Sequence, residues 1–142
     1  MKLSHIYNVT CEMNRELNKK TGNLGESLSC KYLENKGFFI VERNYTKKFG
    51  EIDIIAEKGK EIHFIEVKSV SCENLNEIAL LENKPEEKVT HEKQHKITKV
   101  AESYIKERVI EDKTILIDIF TVFIDKTAKK AIIRPLWNTV FT

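Results

Sequence analysis

The sequence predicts an α/β fold, and three observations carry that prediction. Two stretches have apolar residues at helical spacing, and five runs are rich in Val, Ile and Phe at strand lengths. The order along the chain is helix, three strands, helix, two strands. The last long run, Thr114 to Ile124 (TILIDIFTVFI), is apolar on both parities, as a strand is when its sheet is covered on both faces.

The first helix is expected from Asn23, which can cap it, through Leu24, Leu28, Tyr32 and Leu33 to a stop at Gly37. Gly25 and Ser29 fall within its apolar arc, where small residues let a helix lie close to a sheet. Glu26 shares a row with Cys30 and Leu33, so this carboxylate borders the buried side; it also suits the positive helix N-terminus. Phe38 to Asn44 reads as the first strand. Tyr45 to Phe49 reads as a basic connection whose Lys47 and Lys48 suit either a phosphate backbone or a solvated turn.

Gly50 to Ser69, GEIDIIAEKGKEIHFIEVKS, reads as a hairpin turning around Gly59. Asp53 lies mid-strand in its first arm. In the second arm Ile62, Phe64, Glu66 and Lys68 share one face, while His63, Ile65, Val67 and Ser69 share the other. An isolated charge in a buried strand neutralises, whereas two carboxylates and an ammonium stay charged if they face each other or a metal ion. Carboxylates on adjacent strands, completed by a backbone carbonyl, suit Mg²⁺ or Mn²⁺, and a nearby lysine suits an anionic transition state. An interior Glu–Lys ion pair fits the same spacing.

Residues 70–87 break the pattern and are expected to form a long loop, with a short helical turn at Ile78 to Leu81. The second helix should start between Pro85 and Lys88 and run to about Arg108. Its face gathers Val89, Ile97, Val100, Ala101, Tyr104 and Ile105, with Thr90, Lys93 and Gln94 at the polar end. A helix of that kind starts over a polar site and ends over the core, although a boundary lysine can also snorkel. His91 and His95 fall on other faces and read as surface residues. Asp118 interrupts the long strand, and Ala131 to Arg134 forms the last one, ended by Pro135. Leu136, Trp137, Val140 and Phe141 are expected to fold the tail back on the core.

Composition narrows the functional classes. The chain has 142 residues, 41% hydrophobic and 32% charged, which suits a lead-in over residues 1–20 and one domain over 21–142. The lead-in, rich in Asn, Glu and Lys, is expected to be flexible or loosely helical. No apolar run is long enough to cross a bilayer and no secretory core is visible, so the expected location is cytoplasmic with no membrane partner. Cys11, Cys30 and Cys72 have no zinc spacing and read as free thiols. A net charge of +2 neither demands nor excludes nucleic acid.

Four segments carry a resemblance: GNLGESLSCKYLENKGFFIVERNY, GEIDIIAEKGKEIHFIEVKS, KVTHEKQHKITKVAESYI and ILIDIFTVFI. In order and spacing they are similar to the YraN-like family of small bacterial proteins, within the PD-(D/E)xK nuclease superfamily. The resemblance implies a restriction-endonuclease-like mixed β-sheet flanked by helices, in the order αβββαββ. It implies metal ligands at Asp53, Glu66 and the Val67 carbonyl, the motif lysine at Lys68 and a further site carboxylate at Glu26. Glu51 of the GEID motif and Gln94 would support the site. Lys93 matches the family's helix lysine, and Asp118 the aspartate of its phenylalanine-aspartate-valine stretch, with Ile117 in place of the phenylalanine. The expected activity is Mg²⁺- or Mn²⁺-dependent hydrolysis of phosphodiester bonds in DNA, branched or irregular structures included, with Lys93, Lys47 and Lys48 on the nucleic acid. The superfamily also holds members that bind without cutting, so a binding or assembly module is the alternative. Pairing into a homodimer would let such an enzyme cut two strands.

Overall fold

The computed structural model describes residues 6–8, 21–75 and 91–138. Its elements are β1 (Ile6–Asn8), α1 (Thr21–Asn35), β2 (Phe39–Lys47), β3 (Gly50–Lys58), β4 (Glu61–Ser71), α2 (His91–Arg108), β5 (Thr114–Asp125) and β6 (Lys130–Leu136). The strands form a mixed six-stranded sheet in the order β1-β6-β5-β4-β3-β2. Among the described strands only β4 and β5 run parallel, and α2 lies in the crossover that such a pair needs. This α/β architecture, with helices flanking a mixed sheet, is compatible with the restriction-endonuclease-like fold.

Strand alternation divides the core into two layers. Ile54, Ala56, Ile65, Phe120, Val122 and Ile124 pack against Leu24, Leu28 and Leu33 of α1. Ile52, Ile55, Ile62 and Phe64 pack against Val100, Ala101 and Tyr104 of α2. The two faces expected of β4 and the expected apolar face of α2 are therefore both present. The first helix stops where Gly37 takes a φ of +89°. There the Phe38 N–H reaches the Leu33 carbonyl and the Gly37 N–H reaches that of Glu34, which closes the last turn.

Several boundaries differ from the sequence expectation. The lead-in contributes a strand: Ile6–Asn8 pairs antiparallel with Ala131 and its neighbours in β6. The remainder of residues 1–20 lies outside the described residues, Cys11 among them. Tyr45 to Lys47 belong to β2 and not to a connection, because Tyr45, Thr46 and Lys47 pair with Ile52, Glu51 and Gly50. Tyr45 is buried against Tyr104, and this side-chain anchor extends the strand until only Lys48 and Phe49 are left to turn. At the other end β4 continues to Ser71, in register with Ile124, so residues 70 and 71 are strand rather than loop. Residues 76–90, with the expected loop turn and helix start, lie outside the described residues.

Pro135 does not end the last strand; it pairs with Phe120 inside β6. Among the described residues β1 covers the opposite side of β6 at Lys130 to Ile132, and proline is tolerated in a strand where no ladder partner needs its N–H. Trp137 does pack back on the core. Its ring stacks on Phe38 and meets Phe120 and His63 edge to face. Val140 and Phe141 lie outside the described residues.

Candidate functional site

The β3–β4 ladder is regular from Lys58↔Glu61 to Ile54↔Ile65 and then stops. One residue further along each strand stand Asp53 and Glu66. Ile52 and Ile54 share a parity, yet Ile52 packs in the α2 layer and Ile54 in the α1 layer. The strand therefore turns over at Asp53. On the neighbouring β2, Asn44 adopts a φ of +53° between the pairs Arg43↔Ile54 and Tyr45↔Ile52. Irregular backbone of this kind is costly and clusters where side chains must be re-aimed.

The Asp53 side chain takes over part of the missing ladder. Its Oδ2 accepts the Val67 N–H at 2.7 Å, bridging the two strands where backbone pairing has ended. Glu66 lies on the α2 side, and its Oε1 is 3.2 Å from the Lys93 ammonium. Glu26 comes from α1 on the opposite face, with Oε2 3.6 Å from the Arg43 guanidinium. That oxygen is buried and makes no hydrogen bond. The fork between β3 and β4 thus lets carboxylates from two faces of the sheet sense one another.

Their electrostatics show it. Burial first, then the Glu66 charge, push the Asp53 carboxyl up to about 7, with Glu26 and Glu51 adding to the rise and the Val67 amide opposing it. Burial also raises Glu66; Lys93 opposes the shift, while Glu51 and Glu26 add to it. Such mutual repulsion is what a bound cation would relieve. Among the described residues, no three His, Cys, Asp or Glu side chains converge closely enough to hold a metal ion as they stand.

Lys68 is half-buried on the Glu66 side of β4, in register with buried Thr121 of β5. Glu51 is exposed at the start of β3, opposite Thr46. Gln94 is half-buried beside Lys93, its backbone carbonyl accepting the Thr98 hydroxyl. Lys48 is exposed at the β2–β3 turn. Lys47 is turned elsewhere: its ammonium pairs with Glu107, near the end of α2 opposite Lys93, and lies over the Tyr45 ring. His91 and His95 are exposed as expected, and Cys30 and Cys72 are free thiols.

Two features had weak sequence signals. Arg43 joins the site through Glu26 and also donates to the Ser27 hydroxyl at 3.3 Å. Alternation places it on a strand face, but the turn-over beside Asn44 is not encoded in any pattern of period two. The second is a buried dyad on the α1 side. His63 Nδ1 lies 2.5 Å from Asp118 Oδ2, and Asp118 Oδ1 accepts the Asn138 N–H at 2.7 Å. Asp118 is thereby committed to structure, away from the β3–β4 fork.

Among the described residues, no helix is long and apolar enough to cross a membrane. The model of the uncharacterised protein family UPF0102 matches residues 25–122. A UPF0102 protein of Dictyoglomus turgidum is 42% identical over 107 residues, covering 75% of this chain and 85% of the relative. One from Clostridium botulinum is 41% identical over 96 residues, covering 68% and 72%. One from Campylobacter lari is 65% identical over 48 residues, covering 34% and 43%. The family match begins beside Glu26 in α1, contains Asp53, Glu66, Lys68 and Lys93, and ends within β5: the chain belongs to the uncharacterised family UPF0102, the YraN-like proteins its motifs resemble.

Proposed function

We propose that this chain is a Mg²⁺- or Mn²⁺-dependent nuclease that hydrolyses phosphodiester bonds in DNA, branched or irregular structures included. One observation carries the reading: Asp53 is clamped by the Val67 N–H at the β3–β4 fork, beside the charge of Glu66, which stands two residues from Lys68 on β4. The donor set fits a hard divalent ion. It consists of carboxylate oxygens that repel one another, one of them, on Glu26, buried without a hydrogen bond. Asp53, Glu66 and the Val67 carbonyl would hold the ion, with Glu26 as a further carboxylate. When bound, the ion would polarise the scissile phosphate and favour ionisation of the attacking water.

The chain's own residues divide the remaining work. The Val67 amide fixes Asp53, so its orientation needs no rearrangement during reaction. Lys68, two residues beyond Glu66 on β4, orients the water or stabilises the negative charge that develops on phosphorus. Lys93 at the start of α2 offers an ammonium to a phosphate oxygen, and Lys48 at the β2–β3 turn offers another to the backbone further away. Pairing of two copies would let both strands of a duplex be cut.

The test is cleavage of linear, single-stranded, flapped and four-way-junction DNAs with Mg²⁺, Mn²⁺ or EDTA. Asp53→Asn, Glu66→Gln and Lys68→Ala are each expected to lower the rate by roughly 10²- to 10³-fold. Normal cutting by Lys68→Ala removes that residue from the mechanism. A binding or assembly module is the second reading, favoured by the lack of a ready-made metal cluster among the described residues. It predicts salt-sensitive DNA binding without scission, little changed in Asp53→Asn.

A further inference from the structure

We infer that Lys93 competes with the divalent ion for Glu66, so that one lysine couples metal loading to phosphate binding. The inference rests on the metal-binding reading above and adds a regulatory role for a residue outside the D…ExK motif. Two of the carboxylates around Asp53 already face a basic side chain from an outer element. Glu66 has Lys93 of α2 at 3.2 Å, and Glu26 has Arg43 of β2 at 3.6 Å.

The Lys93–Glu66 pair is asymmetric, with 51% of the lysine side chain exposed against 17% of the glutamate. The lysine is the partner able to move. An ammonium at ion-pair distance neutralises the charge that a divalent ion needs, and two cations on one carboxylate repel each other. Metal binding at Glu66 therefore displaces Lys93. Its flexible four-carbon stem keeps the displaced ammonium at the mouth of the site, where a phosphate oxygen is its natural partner. By linkage, a phosphate that draws Lys93 away raises metal affinity, and metal raises phosphate affinity by the same factor.

The test is calorimetric titration of Mn²⁺ into wild type, Lys93→Met and Lys93→Arg, without nucleic acid. Lys93→Met should bind Mn²⁺ about fivefold more tightly, the upper end of what a solvent-exposed ion pair contributes. Lys93→Arg should match wild type. Methionine preserves the stem and the helix propensity, so the metal-free protein should melt lower only by what the lost ion pair contributes. A purely structural role for Lys93 would shift melting and leave Mn²⁺ affinity alone. Equal or weaker Mn²⁺ binding by Lys93→Met overturns the competition while leaving the metal site standing. No Mn²⁺ binding by any of the three proteins overturns the metal reading together with this one. Adding a slowly cut phosphorothioate oligonucleotide should raise wild-type Mn²⁺ affinity more than that of Lys93→Met, and equal gains overturn the coupling.

Discussion

Asp53 is 7% exposed, accepts one backbone N–H, and lies within reach of three other carboxylates. Burial and the Glu66 charge together raise its pKa to about 7, so the folded protein holds this proton more tightly than the unfolded chain, where an aspartate titrates near 3.9. Its contribution to stability is full below about pH 4 and is lost as pH rises through about 7. In EDTA, urea unfolding should show wild type weakening across that window. Asp53→Asn keeps an oxygen for the Val67 amide and removes the titration. It should be more stable than wild type at pH 8, by on the order of 2 kcal/mol, with a flatter pH profile. An unchanged profile would mean that the carboxylate is solvated in the folded protein. Stability gained by this substitution, together with the slower cutting proposed for it, would be the mark of a site held under strain. The strand positions of Asp53, Glu66 and Lys68 were legible in the sequence because charges inside Val- and Ile-rich runs are rare and period two fixes their faces. Lys93 was legible from helical period, and its contact with Glu66 agrees. Lys47 was placed in a connection rather than in β2, and Arg43 was passed over, for a common reason: where a strand ends or turns over depends on tertiary partners that are distant in sequence, such as Tyr104 and Glu107 of α2.

The approach of α1 to the sheet depends on Gly25. A Cβ built there would lie 1.9 Å from Ser69 Oγ, 3.3 Å from Ser69 Cβ and 3.5 Å from Val67 Cγ1. The same Ser69 hydroxyl is buried and makes no hydrogen bond. The small residues in the apolar arc of this helix signalled such a close approach in the sequence, and the contact falls on the strand that carries Glu66 and Lys68. Alanine is favoured over glycine inside a helix by about 1 kcal/mol, so Gly25→Ala should stabilise unless the clash outweighs the propensity gain. We expect it to destabilise by roughly 1 to 3 kcal/mol, as overpacking does. In a Ser69→Ala background the worst contact disappears, and Gly25→Ala should become neutral or stabilising. Chemical denaturation of the four proteins gives the coupling energy, expected to exceed about 1 kcal/mol. Additive effects would show that α1 shifts as a body and that its distance from β4 is not set at this point. The element boundaries that sequence reading missed have the same origin as the misplaced residues. β2 runs on because Tyr45 finds Tyr104, and β6 passes Pro135 because that residue keeps its place opposite Phe120 of β5.

Among the described residues the sheet carries one helix on each face, and Trp137 closes the α1 layer. Trp137 stacks on Phe38 with centroids 5.7 Å apart, lies 6.4 Å from Tyr32, and meets Phe120 and His63 edge to face. It thus joins α1, the approach to β2, and the central strands β4 and β5. The helix and strand order was readable from hydrophobic period, whereas the three-residue β1 was not, because so short an edge strand leaves no period to detect. The apolar tail suggested packing on the core, but nothing local to it points to the buried His63–Asp118 pair beneath the tryptophan. The two Asp118 partners, His63 Nδ1 and the Asn138 N–H, connect that pair to the backbone just after Trp137. His63 is raised above its ordinary pKa: burial opposes the shift, but the bonds and charges of Asp118 and Glu61 outweigh it. The sign follows from that direction. Stability from the charged pair is fully present below the unfolded histidine pKa, about 6.5, and is lost as pH rises through the raised folded value. Measured in an Asp53→Asn background, which removes the other titration, unfolding free energy should still fall between pH 6 and pH 8.5. Asp118→Asn should remove most of that fall. Trp137→Ala, which strips the aromatic cover and admits water to the pair, should cost about 2 kcal/mol at pH 6 and shrink the fall as well. If Trp137→Ala lowers stability equally at both pH values, the tryptophan contributes packing alone and the dyad is insulated from solvent by Phe38 and Phe120 without it.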